Sequence, residues 1–515
     1  MEYYPFLLSL HHNLAKKFNF RSPLFIMKQH PLKASQYLYI CIVCAIYTIG
    51  LFLLSSNLTN ECLSYDEAGQ FFLSQGLNHY SEPYSNPTSL TDVIKQNQDY
   101  NQDPGGFSIV LHFWSILSCN IIWLRTLPFL FYIGAILFTC LTTFEITRNK
   151  LLSLTSGLLL LALWGGDLPY CLRAYSMELC GMAYGLWMTF RLLKPKSGLH
   201  IVLYSTVLAS FLTARYTIII FGAIYGLICI YNICHWQDKA TLSKRLSQII
   251  LFGIPLLLSV GYSYFFAMRI QNPNIAPMNY AIYLWLYNWP FKLVIIGLIL
   301  ATITLKWQLY KTRLLTIICI TINVTFIFLG YFKLLPWTLM GIKGNCFVWL
   351  WYITMFCCAI SLTQKLLNRY FICNYVFLAS TIFFIVWSQA STNILTPKST
   401  REENISNAFN NLQFPLTDKI VVLAGMSPSV RYIFEHGSLK SDKRFSYPTD
   451  FIFLFRGKHH NGSHDDEYLK NNYNFLDTLS GKPYLIGYTI DKKIFPDSYV
   501  PFGPYEIAPV LYRKF

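Results

Sequence analysis

The sequence predicts a polytopic α-helical membrane protein that carries a small α/β domain outside the bilayer near its C-terminal end. Three observations predict it. Hydrophobic residues make up 54% of the chain and charged residues only 13%. Apolar runs of about 20 residues, each able to cross about 30 Å of hydrocarbon at 1.5 Å per residue, recur along the first three quarters. From Ser391 onward those runs stop, and short alternating elements with ordinary charge density begin.

Residues 1–35 form a basic tail with Lys16, Lys17, Arg21, Lys28 and Lys33. No small-residue cleavage site follows an early apolar core, so the tail is expected to be retained in the cytoplasm and the first span, 36–54, to stay uncleaved. Positive charge before that span and acidic residues after it place the 56–105 loop outside. The loop holds Glu61, Asp66, Glu67, Glu82, Asp92, Asp99 and Asp103 against a single Lys95. Within it, Asp66–Leu77 reads as a short surface helix whose first turn carries Asp66 and Glu67, where the helix dipole favours negative charge.

Phe107–Leu117 is too short to span and is assigned to the membrane interface. Spans then follow at 124–145, 151–165, 174–193, 199–214, 216–234, 247–267, 285–305, 313–332, 344–363 and 371–390. The membrane domain is thus 36–390, with about 11–13 transmembrane helices. Parity puts Arg148–Lys150, Lys194–Lys196, 235–246, Lys306–Arg313 and Lys365–Arg369 on one side, and all are basic, as cytoplasmic connections are. The acidic first loop, the segment 166–175, the turn at Thr213–Tyr216, Phe332–Gly344 and the domain 391–515 fall on the other. In that last domain, Lys419–Ala424, Lys482–Ile490 and Tyr505–Tyr512 read as strands. Ser427-Pro428 reads as the cap and first turn of a helix through Glu435.

The net charge of +16 does not indicate nucleic acid, because Lys and Arg gather in the short connections between apolar runs. The 14 cysteines fall mostly in or beside those runs, where free Cys packs as a small hydrophobe. Cys41 and Cys44 form a C-x-x-C inside the first span with no second pair, which argues against metal or redox use.

The outer side offers two kinds of charge. Asp66, Glu67, Asp103 and Asp167 are carboxylates, and Arg173, Arg215 and Lys343 are cations at the mouths of spans. Charges near membrane depth cost about 2.5–3.5 kcal/mol on insertion scales, so those that persist sit at an interface or do work. A carboxylate beside cations suits displacement at a carbon bearing a phosphate leaving group. The carboxylate takes a proton from the attacking hydroxyl, and the guanidiniums neutralise the departing phosphate. Solvated loop charges, a helix cap at Asp66 and interfacial snorkelling by Arg173, Arg215 and Lys343 are the competing structural readings.

Ser64-Tyr65-Asp66-Glu67-Ala68, placed after the first span, resembles the Asp-Glu-Ala signature of the GT-C superfamily of membrane glycosyltransferases. The nearest branch is that of the protein O-mannosyltransferases and the lipid A aminoarabinose transferase. Asp103-Pro104-Gly105-Gly106-Phe107 through His112-Phe113-Trp114 resembles the family's Pro-Pro-Leu-x-Tyr interfacial helix, with Gly105 where the family has its second Pro. Leu124-Arg125-Thr126-Leu127-Pro128-Phe129-Leu130 resembles its Leu-Arg-Leu-Pro-Ser-Ala-Leu lead-in to the next span. Tyr170–Tyr175, with Arg173, resembles its external Arg-x-Tyr segment. The likeness covers 36–195; beyond that it is architectural.

The resemblance implies a sugar donor on a polyprenyl phosphate, an acceptor hydroxyl on protein, lipid or polysaccharide, and transfer with inversion on the extracytoplasmic face. It implies Asp66 as general base and Glu67 as a neighbour that orients it or helps hold a cation or the sugar. Arg173 would face the lipid phosphate; Asp103, Tyr175, Arg215 and Lys343 complete the expected donor site. No cofactor is required, although a divalent metal fits the chemistry. The expected location is the bacterial inner membrane, with residues 391–515 in the periplasm. The alternatives are a polyprenyl-linked glycan ligase or polymerase, and a non-enzymatic lipid or glycan transporter.

Overall fold

Long apolar stretches become helices because a buried backbone must satisfy its own hydrogen bonds. The computed structural model describes residues 34–267 apart from five short breaks (60–62, 79–83, 102, 164–167 and 236–240). Beyond it, it describes most of 296–331, 354–361 and 370–392, and then Ile405, Phe409, 419–422, 426–453, 484–487, 499–502 and 510–514. The chain divides into two units, Met1–Ile42 and Val43–Phe515. Of the first, the described part is the opening of helix α1, Ala34–Ser55.

In the second unit the loop after α1 folds into three short helices. They are α2 (Tyr65–Ser74), α3 (Leu90–Tyr100) and α4 (Gly106–Ser115). The membrane helices follow as α5 (Ile121–Thr147), α6 (Lys150–Leu163), α7 (Tyr175–Arg191), α8 (Gly198–Leu212), α9 (Tyr216–His235) and α10 (Leu242–Tyr262). Further along come α11 (Tyr310–Tyr331) and α12 (Ile372–Thr392). These agree with eight of the expected spans to within a few residues; 285–305 and 344–363 lie largely outside the described residues. Ala34–Ser55, Ile121–Thr147, Tyr216–His235 and Leu242–Phe265 are each long and apolar enough to cross a membrane alone. The chain is an integral membrane protein with a mostly helical fold.

Helix α7 is the hub of the bundle. It packs along α5, α8 and α9 and is buried on nearly every face from Ser176 to Phe190, which explains why its sequence has no polar stripe. Its glycines let neighbours approach closely: a Cβ on Gly181 would lie 2.5 Å from Phe211, and one on Gly185 2.5 Å from the Tyr225 ring. Helix α5 lies against both α6 and α7. The turn that feeds it is clamped by two tryptophans. Trp114 Nε1 donates to the Trp123 carbonyl (2.8 Å), Trp123 Nε1 to the Trp114 carbonyl (2.9 Å), and the rings stack at 4.4 Å. Phe107–Leu117 is accordingly a short helix that returns the chain to α5.

The C-terminal region holds strands β1 (Ile420–Val422), β2 (Phe451–Phe453), β3 (Tyr484–Gly487), β4 (Tyr499–Phe502) and β5 (Val510–Lys514), in the order β2-β1-β3-β5-β4. β1 runs parallel to β2 and β3, and β5 antiparallel to β3 and β4; Val421 pairs with Ile452 and Leu485. Helix α13 (Ser427–Glu435) packs Val430, Ile433 and Phe434 into a core with Ile420, Val422 and Phe451. Pro428 stands in its first turn as expected, but Met426 rather than Ser427 occupies the cap position and no side chain caps the helix.

One expectation is revised by packing. Helix α2 is not a surface helix: every residue from Glu67 to Ser74 is buried. α4 covers one side of it and α13 another. Tyr432 sets its ring edge-to-face with Phe71 at 5.2 Å and donates its hydroxyl to the Cys119 carbonyl at 2.9 Å. The Arg431 guanidinium lies over the Phe72 ring at 4.4 Å.

Candidate functional site

The site is built at the start of α2. Ser64 caps the helix reciprocally: its hydroxyl accepts from Glu67 N (3.3 Å), while Glu67 Oε2 accepts from Ser64 N (3.1 Å). Such a box satisfies two backbone donors at once. Glu67 does more than cap. Its Oε2 also accepts from Arg125 Nη2 in α5 (3.2 Å), and its Oε1 accepts from Leu172 N (2.9 Å). Both carboxylate oxygens of this buried residue are therefore engaged, and they tie α2, α5 and the 168–174 segment together. Asp66, the next residue toward the cap, is exposed.

Asp103 enters from the turn before α4. Asn97 Nδ2 donates to the Asp103 carbonyl (2.9 Å), and Asn97 Oδ1 accepts from Ser108 Oγ (2.7 Å). Gln70 of α2 in turn donates to Ser108 Oγ (2.6 Å). Gly105 has φ +91°, a region closed to proline and rarely adopted by other side chains, so this turn calls for the glycine that stands there. Gly106 N donates to the Thr213 carbonyl (3.0 Å), pinning the turn to the end of α8.

Two arginines meet this carboxylate. Arg215 Nε donates to Asp103 Oδ1 (3.3 Å), and Arg215 Nη1 donates to Glu178 Oε2 in α7 (3.1 Å). Thr217 donates to the other Glu178 oxygen. Arg173 Nη2 stands 4.0 Å from Asp103 Oδ2, and its Nη1 donates to the Asp66 carbonyl (3.3 Å). The Tyr175 ring braces both cations, 4.8 Å from the Arg215 guanidinium carbon and 5.9 Å from that of Arg173. Burial works against the Arg173 charge, but Tyr175, Asp66 and Asp103 outweigh it and hold the guanidinium above its usual range.

Arg173 Nε and the Tyr216 hydroxyl are among the buried donors that find no hydrogen-bond partner among the described residues. Tyr216 lies within electrostatic range of Asp103. Unmade hydrogen bonds on buried groups cost about 1–3 kcal/mol each, so this pair is suited to receiving acceptor oxygens from a ligand.

The structure thus brings Asp66, Glu67, Asp103, Arg173, Tyr175 and Arg215 into one cluster. Asp167 and Lys343 lie outside the described residues. Sequence reasoning passed over Arg125, although it stood in a quoted motif, and Glu178. Glu178 had a signal: a carboxylate one turn inside an otherwise apolar span needs a partner. Asn97, Gln70 and Thr217 gave none, because isolated amides and hydroxyls are common in any loop or helix. Among the described residues no group of three or more His, Cys, Asp or Glu side chains could hold a metal.

No protein-family model and no curated protein sequence matches the chain. Among solved structures it is similar to the oligosaccharyltransferase of Archaeoglobus fulgidus in several complexes and in the apo form. The apo enzyme aligns at a TM-score of 0.48 and 9% identity, over 88% of this chain and 70% of that one. The form tethered with an acceptor peptide aligns at 0.46 and 10%, over 92% and 74%. The complex with Zn and sulfate aligns at 0.40 and 11%, over 73% of this chain and 60% of that one, so this chain spans about three fifths of the enzyme it matches there. At these scores and identities the likeness assigns no activity to this chain, whose chemistry is read from its own residues.

Proposed function

We propose that the chain is a membrane glycosyltransferase that moves a sugar from a polyprenyl-phosphate carrier to an acceptor hydroxyl. The observation that carries this reading is Arg173: its Nε is buried without a partner, its charge is shared between Asp66 and Asp103, and the exposed Asp66 lies beside it. A guanidinium with an unused donor suits a phosphate oxygen. An exposed carboxylate next to it suits a hydroxyl that must lose a proton.

The reaction follows from that placement. The acceptor hydroxyl gives its proton to the Asp66 carboxylate, and its oxygen attacks the anomeric carbon of the bound sugar. The bond from that carbon to the phosphate oxygen breaks with inversion, and the phosphate leaves with the pair of electrons on its lipid. Arg173 and the Tyr216 hydroxyl receive the growing negative charge. Arg215, committed to Asp103 and Glu178, holds the cradle and does not itself need to meet phosphate. Glu67 orients the turn that bears Asp66. No step needs a metal or a nucleotide. The basic connections on the opposite side and the motif resemblance together favour the outer face of a bacterial inner membrane for the site.

The test is transfer of a labelled sugar from polyprenyl phosphate by purified protein in detergent, wild type beside Asp66→Asn and Arg173→Ala. The expected result is loss of roughly 10²–10⁴ in kcat for Asp66→Asn and a raised donor KM for Arg173→Ala. Full activity in Asp66→Asn would remove Asp66 as the base. Donor binding unchanged in Arg173→Ala would remove the phosphate assignment.

A further inference from the structure

The end of α5 remote from the site holds a second charged cluster that the proposed chemistry does not use. Arg125 and Glu145 are both on α5, and 20 residues of helix separate them by about 30 Å, one hydrocarbon thickness. Around Glu145 three connections converge. Arg148 Nη2 donates to Glu145 Oε2 (2.6 Å), Arg191 Nη1 donates to Glu145 Oε1 (2.9 Å), and Lys311 Nζ donates to the Glu145 carbonyl. Lys194 lies within electrostatic range of both Lys196 and Lys311, and Arg191 within range of Lys196.

Four cations, Arg148, Arg191, Lys196 and Lys311, therefore interact with one buried glutamate, and Lys194 stands within range of two of them. The sequence supplies little else to neutralise them: between residues 104 and 400 the only acidic residues are Glu145, Asp167, Glu178 and Asp238. The cluster is built rather than scattered, since its members come from α5, α7, the turn after α7, and α11, and Glu145 gathers them. Arg148 and Lys194 are exposed, and Arg191 keeps 37% of its side chain accessible. Burial first, then the neighbouring Arg191 and Lys194 against an opposing Glu145, pushes Lys196 below its usual lysine range.

We propose that this cluster is a binding site for the phosphate headgroup of an anionic phospholipid in the leaflet opposite the glycosyl-transfer site. Charge complementarity selects an anion, and the position one bilayer thickness from the Glu67–Arg125 pair puts that anion at headgroup level. Arg148 and Arg191, already held by Glu145, present planar donors that suit a phosphodiester, and Lys194 and Lys196 close the site from the turn.

The test is native mass spectrometry and thermal unfolding of the full chain purified in detergent, with phosphatidylglycerol or phosphatidylcholine added at equal concentration, and with inorganic phosphate alone. Wild type is expected to retain phosphatidylglycerol at least roughly tenfold over phosphatidylcholine and to melt higher with it. Arg148→Gln/Lys194→Gln/Lys196→Gln is expected to lose that preference. Arg148→Lys/Lys194→Arg/Lys196→Arg, which keeps the charge, is expected to retain it, so that loss of fold is told apart from loss of the site. Equal retention of the two lipids by wild type would overturn the proposal, as would a preference that survives the glutamine variant. A rise in melting with inorganic phosphate as large as with phosphatidylglycerol would overturn the lipid assignment.

Discussion

Arg125 donates to Glu67 across 3.2 Å, and both side chains are almost wholly removed from solvent. The pair joins the helix that carries Asp66 to the long helix α5. Removing one partner of a buried ion pair leaves the other uncompensated, which costs about 3–5 kcal/mol. Glu67→Gln and Arg125→Gln should each lower the unfolding midpoint markedly. The double variant should lose less than the sum of the two, as a double-mutant cycle in detergent would read. Additive losses would mean that the two side chains act independently.

Gly106 should accept no side chain. A Cβ there would lie 1.8 Å from Thr213 Oγ1 and 2.8 Å from the Thr213 carbonyl oxygen. Gly106→Ala is expected to destabilise by about 1–3 kcal/mol and to raise the donor KM by moving Asp103. Thr213→Ala should rescue it incompletely, because the carbonyl oxygen remains. Kinetics and melting of the three variants check this.

His436 gives the contact between α13 and α2 a pH dependence. Its ring sits edge-to-face on Phe71 at 5.2 Å. Burial, with Lys440 and Arg431 adding to it and Glu435 opposing, holds the imidazole below its ordinary value. The folded state therefore binds a proton less readily than the unfolded chain. The contribution to stability is present above the unfolded value of about 6.5 and is lost as pH falls below it. Protection of residues 427–436 against hydrogen exchange, corrected for the intrinsic rate, should fall as pH drops below about 6.5, and His436→Phe should flatten that response.

Tyr432→Phe removes the donor to the Cys119 carbonyl while keeping the ring on Phe71. Leaving that carbonyl unpaired should cost about 1–3 kcal/mol and lower the protection of residues 427–436 against hydrogen exchange. Unchanged protection would show that ring packing alone fixes α13 on α2.

Much of this arrangement was legible from charge and hydropathy alone. The connections assigned to one side by parity, at Arg148, Lys194–Lys196 and Lys311, do meet around Glu145. The residues assigned to the other, Asp66, Asp103, Arg173 and Arg215, do gather at the far end of α5. Periodicity also located β1, β3 and α13. What it could not show was pairing. Nothing in the local sequence says that Arg215 divides itself between Asp103 and Glu178, or that Asn97 carries the Asp103 turn. Those partners lie 37 to 112 residues from Arg215 in one case and across a helix end in the other. The burial of α2 was missed for a similar reason: the helix that covers it, α13, comes more than 350 residues later.

That separation has a consequence for when the protein can work. Phe71 and Phe72 are synthesised early, yet the surface they pack against is supplied by Arg431, Tyr432 and His436. Until translation has passed residue 436, the helix beneath Asp66 lacks its covering layer, and the site is left unfinished. A chain that stops short of Arg431 would possess every residue of the charged cluster and still lack the layer that covers Phe71 and Phe72.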